Sequence, residues 1–406
     1  MGCFGLLGES LAHSYSPLIH AELGNYEYNL YEKKPEELAE FLRHGNFDGL
    51  NITIPYKKAV IPLCAGLSKT AGAIGSVNTI TRLADGSLYG DNTDYYGFSY
   101  LLRKTGVDTS SGKTIILGSG GSSLTAQAVL QDMQAREVVV VSRSGADNYE
   151  NIGKHSDAIM IINTTPVGMY PDNGFSPVNC LEVFQNCRVV IDLIYNPPRT
   201  ELLLQAEKRG IFCANGLAML VAQAKKSAEQ FMCTSIADEQ IEMITAKISK
   251  QTQNIILIGM PGCGKSSIGA ALAKKMNREF ADTDEWVVNT AGKPIPAIFA
   301  EHGEDMFRKL ENDALKALCK RSGLVIATGG GIVKVPENRN IIRQNGMVIF
   351  LHRDIAELPI SGRPLSERDG VAALAETRLP LYSQWSDYTV LVRGIEQTAE
   401  DICLFS

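Results

Sequence analysis

The sequence predicts an α/β protein with parallel sheets in more than one domain, and three observations point there. Apolar runs of strand length end in a glycine-rich turn three times: at 114–117 before Gly118-Ser-Gly120-Gly121, at 254–258 before Gly259-Met-Pro-Gly262-Cys-Gly264-Lys265-Ser266, and at 324–327 before Thr328-Gly-Gly-Gly331. Further runs at 138–141, 158–162, 189–191 and 348–351 alternate with segments long enough for helices. The 406 residues, 45% hydrophobic and 21% charged, give apolar material for two or three cores.

The same composition closes off several classes. Net charge is −6, from 39 Lys and Arg against 45 Asp and Glu, so the chain lacks the overall positive field of a nucleic-acid binder and any anion must be held locally. Nine cysteines without a CxxC pair favour neither a disulfide framework nor a zinc ribbon and suit a reducing, cytoplasmic compartment. None of the six histidines has metal-ligand spacing. No stretch of about 18 apolar residues is available to span a membrane. The opening Met-Gly-Cys-Phe-Gly-Leu has leucine where an acylation signal needs Ser or Thr, and reads as a first strand.

In chain order, the strand at 114–117 delivers the turn Gly118-Ser-Gly120-Gly121, followed by helical periodicity over 124–134. The second strand, 138–141, runs into Ser142-Arg143-Ser144. An NAD site needs an acidic residue there for the ribose 2′-hydroxyl, whereas Arg143 suits a 2′-phosphate, so NADP is preferred over NAD. Around this unit stand Ser14-Tyr15-Ser16-Pro17, Asn51-Ile-Thr53-Ile-Pro55-Tyr-Lys57, Gly75-Ser-Val-Asn78-Thr79 and Gly90-Asp-Asn-Thr-Asp94. Asn163-Thr-Thr-Pro-Val-Gly-Met169, Asp192-Leu-Ile-Tyr195-Asn-Pro197 and Asn215-Gly216-Leu-Ala-Met219-Leu-Val-Ala-Gln223 complete the set.

With these motifs, residues 1 to about 245 resemble shikimate dehydrogenase. The resemblance implies a dehydroshikimate-binding domain, 1–100, completed by helices of 216–250, with a Rossmann NADP-binding domain, 101–215, inserted between them. It further implies that Lys57 and Asp94 form the catalytic pair and that Ser14, Ser16, Thr53, Asn78, Asp94 and Gln223 hold the substrate. Tyr195 would touch substrate or cofactor. Gly118, Gly120, Gly121, Ser142, Arg143, Gly216 and Met219 would meet NADPH, with Met219 also packing its helix. The chemistry suits this assignment, because ketone reduction by hydride leaves an alkoxide that needs a cation with a transferable proton beside it. The turn departs from the family in carrying serines at 119, 122 and 123 where Ala or Gly is usual.

Residues 216–250 read as one continuous helix, and the polar stretch 246–253 as the linker to a second domain, 254–406. That domain begins with a full G-x-x-x-x-G-K-[ST] motif between a strand and a helical run over 267–275. Gly262, Gly264 and Ser267 would bring backbone N–H groups around a phosphate, Lys265 would hold the β/γ-phosphates, and Ser266 would ligate Mg²⁺. Asp282-Thr-Asp284 follows at strand-like spacing, which would turn both carboxylates to one side for one magnesium and one substrate hydroxyl. Beyond it come Phe299-x-x-x-Gly303-Glu304-x-x-Phe307-Arg308-x-x-Glu311, Thr328-Gly-Gly330-Gly331, Arg363-Pro364-Leu365 and Arg378-x-x-x-Tyr382.

This constellation resembles shikimate kinase over residues 254 to about 395. By that resemblance Asp282 supports Mg²⁺, and Asp284 contacts the acceptor hydroxyl and receives its proton. Arg308 and Arg378 would grip the substrate carboxylate, Gly330 and Gly331 would approach the ring, and Arg363 would cover the γ-phosphate from a lid that is shorter than usual. Cys263 reads as a small buried filler inside the phosphate loop. Both halves concern one metabolite, so the combined expectation is NADPH-dependent reduction of 3-dehydroshikimate followed by ATP- and Mg²⁺-dependent phosphorylation of shikimate. Two other readings stand beside it: an NAD-linked quinate/shikimate dehydrogenase fused to a kinase, and a chain in which one half has become a ligand-sensing or regulatory module.

Overall fold

The computed structural model describes residues 2–11, 14–358 and 370–405. They form two compact units, Met1–Ile248 and Ser249–Ser406. Arg363, expected over the γ-phosphate, lies outside the described residues.

The first unit holds two sheets. One contains β1 (Cys3–Gly8), β2 (Glu27–Glu32), β3 (Gly49–Ile52), β4 (Gly66–Leu67), β5 (Thr79–Arg82) and β6 (Leu88–Asp91), in spatial order β2-β1-β3-β5-β6-β4. This sheet is mixed, because β5 runs antiparallel to both β3 and β6. The cause is local: Asp85-Gly86, with Gly86 at φ +85°, closes a tight turn between β5 and β6, and a hairpin joins antiparallel strands. The second sheet is parallel throughout: β7 (Lys113–Leu117), β8 (Glu137–Val141), β9 (Met160–Asn163), β10 (Val189–Asp192) and β11 (Phe212–Asn215), in order β11-β10-β9-β7-β8. Its strands are apolar and closely packed on both faces. The chain order reverses between β7 and β9, which opens a crevice at their C-terminal ends.

The single helix expected over 216–250 is two helices, Leu217–Met232 and Glu239–Thr252. Cys233 adopts a left-handed conformation, φ 51°, and the chain turns there before restarting. The stretch 246–253, expected as a linker, is helical as far as Thr252. Its helix is held by a stripe of Ile241, Ile244 and Ile248, buried against Leu217, Val221 and Ala228 and against Ile19 and Leu23 of helix Ser16–Leu23.

The second unit is built on β12 (Asn254–Ile258), β13 (Phe280–Asp282), β14 (Val325–Ala327), β15 (Gly346–His352) and β16 (Tyr388–Leu391), all parallel, in order β13-β14-β12-β15-β16. The central β12 is wholly buried and ends at the phosphate-loop sequence. Helix Ile295–Cys319 is broken at Gly303, whose φ of +78° suits glycine, and this kink sets the direction of the turns carrying Glu304, Arg308 and Glu311. Among the described residues no helix is long and apolar enough to cross a membrane.

Candidate active sites

In the first unit Lys57 lies in the loop after β3, and Asp94 opens helix Asp94–Lys104. The Lys57 ammonium donates to Asp94 Oδ2 at 2.5 Å, with the two side chains 20% and 10% exposed. Such a pair is desolvated enough to be oriented yet open to a ligand. Behind it runs a buried polar chain. The Asn78 amide donates to Thr93 Oγ1 at 3.0 Å and Gln223 Oε1 at 3.3 Å, and its carbonyl accepts the Thr93 N–H at 2.7 Å. Ser227, Thr79 and Asn51 extend this chain, and the Tyr28 hydroxyl joins it at Asn51 Oδ1, 2.8 Å away, while also bonding Ser16. The structure thus connects Ser16, Asn78 and Gln223 through residues that the sequence reading did not single out. Ser14 accepts the Ser16 N–H at 3.2 Å, and Thr53 packs its methyl near Gly8 at the end of β1. Tyr195 packs against Tyr15, with ring centroids 5.1 Å apart, and burial pushes its phenol up to about 12.

The residues expected to meet the cofactor follow three strands, with Gly118, Gly120 and Gly121 after β7, Ser142 and Arg143 after β8, and Gly216 and Met219 after β11. Gly118, at φ +104°, has no room for a Cβ, which would stand 2.8 Å from Thr164 Oγ1; Gly120 then caps helix Gly121–Asp132. Ser123 is buried and bonded to Gln127, so it faces the protein, not the turn. Arg143 is exposed just past β8. Gly216 abuts the 192–195 loop, with the Leu193 carbonyl only 2.0 Å from where a Cβ would lie. Met219 is a core residue of helix Leu217–Met232, packed with Phe98 and Ile162.

In the second unit Gly262 and Gly264 are at φ +83° and +103°, so the loop Gly259–Lys265 wraps ahead of helix Lys265–Met276 in a path that side chains would resist. Lys265 Nζ donates to the carbonyls of Gly259 and Met260 at 2.9 and 3.0 Å, which rests the ammonium over the loop, and Cys263 is buried beneath it. The Ser266 hydroxyl donates to Asp282 Oδ2 at 2.6 Å. Asp282 and Asp284 do not share a strand face as their spacing suggested. Asp282 ends β13 and caps the next helix by accepting the Asp284 N–H at 2.9 Å, which places Asp284 in the first helical turn. Burial, then the neighbouring Asp282 and Glu311 carboxylates, push Asp284 up to about 6 against the pull of Lys265 and Arg308.

Arg308 is clamped by Glu311 at 2.7 Å and Glu304 at 3.1 Å. Burial opposes ionisation of Glu304, but hydrogen bonds from Lys334 and Arg308 outweigh it and hold its carboxyl at about 2. Arg378 is almost fully buried and spends Nη1 on the Gly330 carbonyl, 3.1 Å away, which Tyr382 also caps. Its Nε and Nη2, the two donors along one edge of the guanidinium, find no partner among the described residues. An unpaired edge of this kind matches the two oxygens of a carboxylate. Gly329, Gly330 and Gly331 pack against this cluster, where added Cβ atoms would lie 2.1 Å from Glu311, 2.7 Å from Pro261 and 2.0 Å from Arg308.

Residues 6–80 match the family model of the shikimate dehydrogenase substrate binding domain, and residues 261–403 match that of shikimate kinase. A shikimate dehydrogenase (NADP⁺) of Clostridium perfringens is 36% identical over 250 residues, which cover 56% of this chain and 92% of the relative. The chain belongs to the shikimate dehydrogenase family. Solved structures agree. Shikimate dehydrogenase 1 from Peptoclostridium difficile superposes with a TM-score of 0.57 at 36% identity, over 61% of this chain and 98% of that one. The Thermus thermophilus enzyme, solved with NADP(H) and shikimate, gives 0.55 at 28% identity over 61% and 99%. The chain is therefore a fusion of a Rossmann-containing shikimate dehydrogenase with a P-loop shikimate kinase domain, carrying NADP-dependent oxidoreductase and ATP-using kinase units.

Two features of the kinase site escaped the sequence reading. Glu311 was visible only as a motif letter, yet it is completely buried against Arg308 and adjoins Asp284. Gly329, to which the sequence motif assigned no role, makes a close approach to both acids.

Proposed function

We propose that the dehydrogenase unit reduces 3-dehydroshikimate to shikimate with NADPH and that the kinase unit phosphorylates the same shikimate with ATP. The observation that carries the first step is the oriented Lys57–Asp94 pair, and the second rests on the unpaired edge of Arg378 beside a phosphate loop. In the division of labour we infer, residues 1–100 with 216–250 bind dehydroshikimate, 101–215 bind NADPH, and 254–406 form the kinase, joined through the helical 246–253. Ser14, Ser16, Thr53, Asn78, Gln223 and Tyr195 would fix the polyol. Bound NADPH supplies a hydride; Lys57 then stabilises and protonates the alkoxide while Asp94 holds the ammonium in place. Gly118, Gly120, Gly121, Ser142, Arg143, Gly216 and Met219 line the cofactor's path.

In the kinase unit Arg378 and Arg308 would take the substrate carboxylate. Asp284 would accept the proton of the attacking hydroxyl, and Lys265 with Gly262, Gly264, Ser266 and Ser267 would hold the nucleotide phosphates. The hydroxyl of Ser266 beside the Asp282 carboxylate is a hard oxygen pair open to solvent, which suits Mg²⁺ held by few protein ligands and by phosphate. Bound there, the ion would neutralise charge on the phosphates. An exposed Arg143 at the end of β8 supports NADPH over NAD. We place the protein in the cytoplasm, acting on small molecules and not on nucleic acid or membrane. The test is to supply each unit with its substrate in turn: NADPH oxidation must depend on dehydroshikimate and ATP consumption on shikimate, and Arg143→Ala must raise the KM for NADPH more than that for NADH. Failure of either substrate dependence refutes the corresponding half.

A further inference from the structure

We propose that Asp192 is a positioning residue of the reductase, tying together the two walls of the crevice at the β7/β9 switch point; the proposal rests on the reading of that crevice as the NADPH site. Asp192 is the last residue of β10 and has no exposure. In the sheet it lies beside Asn163, the last residue of β9. Its partners are neutral and come from three segments of chain. The Asn163 amide donates to Oδ1 at 3.0 Å, the Ile194 N–H donates to Oδ1 at 3.1 Å, and the Thr200 hydroxyl donates to Oδ2 at 2.6 Å. Thr200 also caps helix Glu201–Lys208. Burial pushes the carboxyl up to about 6 in spite of these bonds. A residue kept only for packing would avoid that cost, so an acceptor-only group must serve here.

The orientation of Asn163 supplies the reason. An amide offers a donor end and an acceptor end of nearly the same shape, and a carboxylate neighbour forces the donor end toward itself. The Asn163 carbonyl is thereby turned away, onto the Thr165 N–H at 2.9 Å and the Thr165 hydroxyl at 2.7 Å. These bonds hold the Thr164–Thr165 pair against Gly118, where a Cβ would meet Thr164 Oγ1 at 2.8 Å and Thr165 Cγ2 at 2.9 Å. On the opposite wall, the turn that Asp192 makes with Ile194 presents the Leu193 carbonyl to Gly216, whose N–H donates to Ile194 O at 3.1 Å. One buried carboxylate therefore sets the spacing between the glycine turn after β7 and the glycine that starts helix Leu217–Met232.

The experiment measures reductase kinetics of the full chain with Asp192→Asn, and with the exchange Asn163→Asp/Asp192→Asn, which keeps one carboxylate and one amide in the pair. D192N is expected to raise the KM for NADPH about five- to thirtyfold while leaving the KM for 3-dehydroshikimate within twofold and kcat within threefold. The exchange should recover most of the loss. Thr200→Val, which removes one bond to Asp192, should raise the NADPH KM by a smaller factor, and Thr200→Ser should restore it; this pair decides the matter if D192N does not fold. An NADPH KM within twofold of the parent in D192N overturns the proposal, as does an equal loss of KM and kcat that the exchange leaves uncorrected. Absence of NADPH-dependent reduction in the unmodified chain would instead refute the reading of the crevice.

Discussion

Asp284→Asn separates catalysis from stability in the kinase unit. In the folded protein the carboxyl is pushed from 3.8 up to about 6, so the folded state favours the proton-bound form. The sign follows directly: the contribution to stability is fully present below about pH 4 and is lost as pH rises through about 6. A displacement of this size corresponds to about 3 kcal/mol, and because Asp284 keeps some contact with solvent, screening trims it to about 2 kcal/mol. Asparagine removes the charge and can donate to Glu311, so D284N should stabilise the second unit at pH 8 by about 2 kcal/mol, or a midpoint rise of roughly 4–8 °C. That gain should vanish near pH 4. Meanwhile shikimate-dependent ATP turnover should fall by about 10²–10⁴, the usual range for loss of a general base. Unsubstituted protein should lose kcat/KM about tenfold per pH unit below about 6. Both tryptophans, Trp286 and Trp385, belong to the second unit, so their fluorescence on heating reports that unit alone. A lower midpoint for D284N at pH 8, or retention of more than a tenth of the kinase rate, would refute the assignment.

Three further outcomes are expected. Lys57→Ala should cut dehydroshikimate reduction by about 10²–10⁴ and leave kinase turnover within twofold, as read in parallel assays of one preparation. Lys265→Ala should do the reverse, abolishing ATP turnover while NADPH oxidation continues. Gly329→Ala drives a methyl into Glu311, which is buried and paired with Arg308, so it should cost about 1–3 kcal/mol of stability in the second unit and lower kinase kcat/KM at least tenfold; a fully active G329A would show that this backbone approach is unnecessary.

The legible parts of the sequence were those in which local chemistry dictates local geometry. Gly262 and Gly264 signal a phosphate loop because that path demands left-handed backbone, and the buried β12 announces itself as an unbroken apolar run. Spacing misled where a single contact switches the period. Asp282 looks like a strand partner of Asp284, but its side chain accepts the Asp284 N–H and starts a helix. The break at Cys233 was hidden because the segments on either side are both helical, and only tertiary burial of Ile241, Ile244 and Ile248 fixes where the second helix begins to pack. Asn51, Thr93 and Ser227 were illegible for a related reason: small polar residues look like surface until the fold brings segments from opposite ends of the unit together.

The two sites also prepare for their ligands by opposite means. In the dehydrogenase unit the hydroxyls and amides of Asn78, Thr93, Gln223 and Ser227 already satisfy one another, so a polyol must exchange existing hydrogen bonds for its own, and selectivity there rests on matching a finished network. In the kinase unit Arg378 Nε and Nη2, Arg308 Nε, Asp284 Oδ1 and Glu311 Oε1 are buried without partners among the described residues. Each unmet buried group costs about 1–3 kcal/mol, more when charged. A ligand that presents a carboxylate to Arg378 and a hydroxyl to Asp284 removes several such costs at once, whereas an analogue lacking either group leaves them standing. The kinase unit should therefore discriminate more steeply than the dehydrogenase unit against shikimate analogues missing the carboxylate, a difference that comparison of kcat/KM ratios on the same analogue series would measure.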